Sequence, residues 1–226
     1  MTANWPAGFV INDRVAPADR ELIDQYRGIP TAFVSDAMGK STGGYRLRSF
    51  GSNEVMCGPA VTVRVRPGDN LMVHKSFDLA QPGDVIVVDA GGEIAQAIIG
   101  GNMRVTMMRR GFAGIVIDGA IRDILEFADG AFPTYALANA HRGPSKDGPG
   151  EINVPISCAG MVVHPGDLVI GDPDGVVTVP KESLLDLLPR VQEVVKREAR
   201  LRAQIESGTT DPDRFNSILR AKGCPL

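Results

Sequence analysis

The chain alternates short apolar runs with stretches in which apolar residues recur three or four apart. Leu22, Ile23 and Tyr26 hold helical spacing until Gly28, and Pro17, with its fixed φ and missing N–H, suits a first helical position. A second short helix is predicted over residues 31–38, stopped by Gly39. A Gly/Ser-rich loop is predicted over 40–54. Residues 60–65 alternate β-branched side chains and end at Pro67-Gly68-Asp69, which predicts a strand and its turn. Residues 70–79 read as a helix opened by an Asp or Asn cap.

The middle of the chain carries the clearest signal. Residues 84–89 (DVIVVD) and 114–118 (GIVID) are nearly continuous apolar runs, as strands buried on both faces require. Between them Gly100-Gly101 opens a helix predicted over 102–110 and ended by Gly111. A short helix over 121–127 and a strand over 132–137 follow. This strand–helix–strand–helix–strand series predicts a parallel α/β sheet. Residues 141–150 (HRGPSKDGPG) form a polar loop. Short strands at 154–158, 161–164, 168–170 and 176–179, separated by turns, predict an antiparallel β section. Residues 181–207 form a long charged helix whose apolar stripe fades beyond Val195, the pattern of a helix that crosses to a partner or lies in solvent. Residues 208–226 read as an extended tail.

Composition narrows the class. Hydrophobic residues make up 43% and charged residues 23% of 226, enough for a core and too few charges for a disordered chain. Lys and Arg number 24 against 27 Asp and Glu, so no basic surplus is available for nucleic acid. No apolar run approaches the ~18 residues of a membrane span, and the N-terminus lacks a secretory pattern. Cys57, Cys158 and Cys224 form no C-x-x-C pair and read as reduced thiols of a cytoplasmic protein.

Chemistry is expected where Asp89-Ala-Gly-Gly and Asp118-Gly-Ala-Ile-Arg122-Asp123 end neighbouring strands and open onto one crevice. The backbone N–H groups of Gly100-Gly101-Asn102-Met103 at a helix start would hold a carboxylate or phosphate. Arg122 could clamp the same anion, and Asp123 offers a hard oxygen for Mg²⁺ or Mn²⁺. The same residues could equally be a helix-start ion pair beside tight turns. Asp172-Pro173-Asp174-Gly175 reads as a hairpin turn. Ser35 with Asp36 reads as helix capping, and His74 as a helix-surface or interface residue. His141 heads the long loop and is a candidate for the neighbourhood of substrate. His74, His141 and His164 lack zinc-ligand spacing, and no G-x-G-x-x-G supports a dinucleotide or S-adenosylmethionine site.

Four segments resemble one family: PTAFVSDAMG, PGDNLMVHKSFDLAQPGDVIVVDAGG, GGNMRVTMMRRGFAGIVIDGAIRD and VPISCAGMVVHPGDLVIGDPDGVVTVP. The chain is similar, over residues 31–180, to the regulator of ribonuclease E activity A (RraA) and the class II 4-hydroxy-4-methyl-2-oxoglutarate aldolases. The resemblance implies an α/β/β sandwich of the swivelling-domain type over residues 59–180. Helices and a loop in 1–58 would flank it, and a C-terminal helix and tail in 181–226 would contact a neighbouring subunit. It implies homotrimers or hexamers with sites between subunits. It also implies a divalent-metal-dependent lyase of 2-oxo acids, an aldolase or oxaloacetate decarboxylase working through pyruvate enolate. By resemblance Asp123 binds the metal, Arg122 lies beside the keto oxygen, and the Gly100–Met103 turn holds the pyruvate carboxylate. Glu198 would come from the adjacent subunit. Asn102 departs from the pattern, because the aldolases carry an acidic residue there; Arg104 adds positive charge near the helix start. Other relatives are protein-binding regulators of an endoribonuclease, which gives the alternative function.

Overall fold

The computed structural model describes residues 6–51 and 55–226. The 52–54 end of the expected loop and the first residues of the N-terminus lie outside the described residues. β1 (Phe9–Ile11) precedes α1 (Arg20–Asp24) and α2 (Thr31–Ala37). α1 starts later than Pro17 because the Asp19 carboxylate accepts the Glu21 N–H and caps it there. α2 is capped from afar. The Thr31 N–H and Oγ1 both donate to the buried Asp172 carboxylate at 2.7 Å. Ser35 and Asp36 therefore sit within α2 and, among the described residues, cap no helix.

β2 (Arg48–Ser49) is a short strand inside the expected loop. β3 (Met56–Val65), α3 (Leu71–Ser76), β4 (Val85–Ile99), α4 (Gly101–Arg109), β5 (Gly114–Ile121) and β6 (Thr134–Asn139) form the predicted alternation. β3, β4, β5 and β6 pair in parallel in that order. The helix expected over 121–127 is only a 3-10 turn at Ile124–Phe127, since Ile121 still pairs within β5. β7 (Gly150–Ile152) was not expected. It joins β3 antiparallel and β1 parallel, and its shortness gave no readable alternation.

β8 (Ile156–Cys158) and β9 (Met161–Val163) form one antiparallel pair, and β10 (Leu168–Asp172) and β11 (Gly175–Val179) another. Asp172 pairs with Gly175, so Pro173-Asp174 is the expected hairpin turn. α5 (Leu184–Glu206) follows a 3-10 turn at Lys181–Ser183. The tail is not extended: α6 (Arg214–Ala221) occupies it, with Phe215, Ile218 and Leu219 at helical spacing.

Three cores separate the layers. Along β4, Ile86 and Val88 face a core shared with α3 and α4, while Val85 and Val87 face a second core shared with β8–β11. This confirms a strand buried on both faces. β3 ties the two β layers together, pairing with β10 through its first half and with β4 through its second. A third core packs Tyr26, Val34, Leu188 and Val191 of the flanking helices onto Leu168 and Ile170. Each fully buried aliphatic side chain contributes about 1.5–3 kcal/mol. The architecture is mixed α/β, with a long C-terminal helix whose buried stripe ends at Val194. Arg14 locks the N-terminal segment to the start of β4 by donating to both Asp84 oxygens at 2.6 Å. Among the described residues, no helix is long and apolar enough to cross a membrane.

Candidate active site

The crevice does not open at Asp89 and Asp118. Both strands run on through register shifts to Ile99 and Ile121, so those carboxylates lie mid-strand. Asp118 instead accepts from the Ala159 backbone and neighbours the buried Cys158. Burial raises its pKa, and Asp89 adds repulsion against that hydrogen bond. Asp89 itself lies 3.6 Å from Arg64. The apolar runs mark two buried strands, but both strands continue, bulged, past Asp89 and Asp118, where the sequence predicts their ends.

At the true strand ends lies a crevice of about 230 Å³. The start of α4 supplies Gly100, Asn102 and Met103; the end of β5 supplies Arg122 and Asp123. Asp123 adopts φ 59, ψ 37, a left-handed conformation that costs about 1–3 kcal/mol for a residue other than glycine. That turn points its carboxylate back at α4, where Oδ2 accepts the Gly101 N–H at 3.1 Å. Arg122 Nε lies 3.6 Å from the same oxygen. Glycine is required for the approach. A Cβ at Gly100 would collide with the Asp123 carboxylate and stand 3.0 Å from Arg122 Cγ, and one at Gly143 would stand 2.7 Å from Arg122 Nη1. A Cβ at Gly101 would meet the Glu126 carboxylate.

The anion-binding turn is therefore less free than its sequence suggests. The Gly101 N–H is engaged by Asp123, and the Met103 N–H turns back to the Gly100 carbonyl at 3.1 Å. The Asn102 N–H has no acceptor among the described residues. Arg104 adds no charge to the crevice: it is buried, pairs with Asp129 and lies 5.7 Å over the Phe127 ring.

The opposite wall comes from residues that sequence reasoning missed or placed elsewhere. His74 faces the crevice and is not merely a helix-surface residue, and Lys146 and Pro144 come from the long loop. His141, the loop residue first considered, is exposed and lines nothing here. The loop is pinned by Asp69, fully buried, which accepts from Ser145 Oγ and the Asp147 N–H at 2.7 Å, the Leu71 N–H at 2.9 Å and the Gly148 N–H at 3.1 Å. Burial opposes charge on Asp69, but these hydrogen bonds together win and hold its pKa low. Burial, with Lys146 nearby, lowers the pKa of His74. Asn70 completes this wall, donating Nδ2 to the Ile98 carbonyl at 2.8 Å while its buried Oδ1 has no partner among the described residues. The signal for this wall was present in sequence as P-G-D-N-L-M-V-H and S-K-D-G, but its two parts join only through Asp69.

Glu198 is not in this crevice. It lies on α5 beside Phe33, Leu201 and Ile205, with Arg197 at 2.9 Å. Within one chain the site therefore combines Arg122, Asp123 and the α4 turn and leaves Glu198 apart. Asp123 is the carboxylate of this lining that could hold a hard divalent cation. Asp123 Oδ1 is unengaged among the described residues, and Mg²⁺ or Mn²⁺ takes one or two protein carboxylates and fills its remaining positions with water and substrate oxygens. No cluster of three Asp, Glu, His or Cys side chains forms a closed cage among the described residues. Cys57, Cys158 and Cys224 are all free thiols.

The chain is similar to several known proteins. A Halalkalibacterium halodurans protein provisionally named 4-hydroxy-4-methyl-2-oxoglutarate aldolase is 41% identical over 191 residues, covering 84% of this chain and 91% of its own. Among solved structures, an uncharacterized protein from Pseudomonas syringae superposes with a TM-score of 0.78 at 26% identity, covering 87% of this chain and 97% of its own. The RNA-processing inhibitor RraA from Thermus thermophilus superposes with a TM-score of 0.62 at 32% identity, covering 67% of this chain and 93% of its own. The RraA-like family model, described as Aldolase/RraA, matches residues 31–178, and the chain belongs to that family.

Proposed function

We propose that this chain is a divalent-cation-dependent carbon–carbon lyase of small 2-oxo acids, acting in the cytoplasm as a homotrimer or hexamer. Oxaloacetate decarboxylation is favoured over aldol cleavage. The observation that supports this most is the convergence of Arg122, Asp123 and the start of α4 on one crevice. Asp123 and solvent would hold Mg²⁺ or Mn²⁺, which supplies positive charge opposite developing enolate charge.

The protein's own groups account for the rest. The Asn102 N–H and the positive end of α4 receive the substrate carboxylate. The Arg122 guanidinium, held against Gly143, donates to the 2-oxo oxygen. The C3–C4 bond of oxaloacetate breaks, its electron pair moves into C2–C3 and charge collects on that oxygen. CO₂ leaves, and a proton from water at C3 gives pyruvate. One well-placed donor to such an oxygen is worth about 3–4 kcal/mol. Aldol cleavage also needs a base to take the 4-hydroxyl proton, and the Asn102 amide cannot accept one at neutral pH. Glu198 of an adjacent subunit could supply a carboxylate there.

Pyruvate release, coupled to lactate dehydrogenase, tests this with oxaloacetate and 4-hydroxy-2-oxo acids, with and without Mg²⁺ or Mn²⁺. Cation-stimulated release from oxaloacetate is expected. No release from either substrate class refutes the proposal. The likeness to the Thermus RraA structure favours a second function, binding to an endoribonuclease. Cation-independent retention of that enzyme on the immobilised chain, with no pyruvate release, would establish it instead.

A further inference from the structure

We propose that the N-terminal strand β1 is a brace behind the crevice wall, with Phe9 as a positioning residue that holds the loop bearing Lys146 and Pro144 in place for substrate. Hydrogen bonds tie that loop to the turn before α3. Asp69 accepts the N–H groups of Asp147 and Gly148, the Ser145 N–H donates to the Gly68 carbonyl at 2.8 Å, and the Arg66 N–H donates to the Pro149 carbonyl at 3.2 Å. Gly148 is buried at φ 69, a left-handed backbone that favours glycine, so the loop has no side chain of its own to fill the space at that residue.

β1 fills it from behind. Phe9 pairs in register with Gly150, and its ring reaches back over Gly148, where a Cβ would stand 2.6 Å from both Phe9 Cε1 and Cζ and 3.7 Å from Leu71 Cδ2. Gly8 closes on the next residue, and a Cβ on it would stand 3.0 Å from Pro149 Cβ. The ring tip therefore sits where the loop meets the first residue of α3, the helix that carries His74 one turn later. Phe9 and Ile11 both pack on the core that holds Met72 and Ile152, but Ile11 pairs with Ile152 and points away from the loop. Removing the ring tip forfeits its contacts outright, because a gap that small takes in no water to replace them. The family match begins at residue 31, so this brace lies outside the segment that the family model covers. Its effect on turnover rests on the proposed function; its hold on the loop does not.

The test sets Phe9→Leu against Ile11→Ala. Phe9→Leu keeps a branched apolar side chain and removes the ring tip, whereas Ile11→Ala removes the same number of carbon atoms from the same strand and core. Hydrogen exchange across residues 143–149 is measured in both, with the KM and kcat of pyruvate release from oxaloacetate. Phe9→Leu is expected to speed that exchange about tenfold, the effect of roughly 1.4 kcal/mol, and to raise KM by a similar factor while kcat stays within about twofold. Ile11→Ala is expected to lower the urea midpoint and leave both readouts unchanged. Unchanged exchange in Phe9→Leu overturns the brace. So does an equal acceleration in Ile11→Ala, which would be a general loosening of β1. Accelerated exchange with an unchanged KM overturns the positioning role. Absence of pyruvate release from the wild-type protein removes the lyase alone, and the exchange comparison still decides the brace.

Discussion

Replacing Asp69 by Ala tests whether the crevice wall is held as described. The carboxylate is fully buried and accepts five hydrogen bonds, one from Ser145 Oγ, three from the N–H groups of Leu71, Asp147 and Gly148, and a longer one from Arg66 at 3.4 Å. Hydrogen bonds to a charged acceptor contribute about 1.5–3 kcal/mol each, but they are not additive and the freed loop amides can reach water. Breaking such a buried charged cluster costs about 3–5 kcal/mol. With a urea slope of about 2–3 kcal/mol per molar, the unfolding midpoint falls by about 1–2 M. Hydrogen exchange in residues 143–148 accelerates in the same variant, and KM rises more than kcat falls, because Lys146 and Pro144 lose their place. Acid titration supplies a signed check. The Asp69 pKa lies below its unfolded value of about 3.9, so its contribution is complete above that pH and is lost as pH falls through the lower folded value. The variant lacks that part of the acid transition. A midpoint within 0.3 M of wild type (roughly 0.6–0.9 kcal/mol) together with unchanged exchange would refute the anchoring role.

Asp123→Ala is expected to abolish cation-stimulated pyruvate release while leaving the circular dichroism spectrum intact; undiminished stimulation removes Asp123 from the site. Asn102→Asp restores a proton acceptor at the start of α4 and should raise cleavage of a 4-hydroxy-2-oxo acid by about 10²-fold, the lower range of general base catalysis. An unchanged cleavage rate would place the missing base elsewhere. Arg14→Ala strands the Asp84 carboxylate, 1% exposed, and should cost about 3 kcal/mol in urea unfolding with no change in kcat. A loss of kcat without loss of stability would contradict its purely structural role.

The parallel strands were legible because burial on both faces leaves an unbroken apolar run that no surface element imitates. The β10–β11 hairpin was legible because Pro173-Asp174-Gly175 is turn chemistry between two apolar runs. What escaped lacks local signal. β1 and β7 have three residues each and are fixed by pairing with β3 and with each other, contacts remote in sequence. The start of α2 depends on a carboxylate 141 residues away. α6 was hidden by Gly208, Pro212 and a polar majority, although its three apolar residues repeat at helical spacing. In the crevice, Arg122, Asp123 and the α4 turn are singled out by the resemblance to the family, because on their own an acid after a buried strand and glycines at a helix start read equally well as an ion pair beside tight turns. His74 and Lys146 could not be named from sequence, since α3 and the long loop meet only where Asp69 ties them.

The charges around α4 explain why Asn102 matters more than one missing proton acceptor. Asp123 already spends one oxygen on the Gly101 N–H, so the first turn of α4 is partly neutralised before any ligand arrives. An acid at position 102 would add a second negative charge to the same turn. A unit charge about 5 Å away is worth about 1–3 kcal/mol between bulk water and a protein surface. Under the proposed function, Asn102 would therefore weaken the hold on a cation by that margin and strengthen the hold on an anion by a similar one. Lys146 and Arg122 push in the same direction from the two walls. The proposed function then predicts a preference for substrates that bring their own negative charge and their own oxygens for the cation. Oxaloacetate carries two carboxylates and a 2-oxo group and needs no protein base to lose CO₂. An aldol substrate needs that base as well, so under the proposed function the residue at position 102 is expected to separate the two reactions.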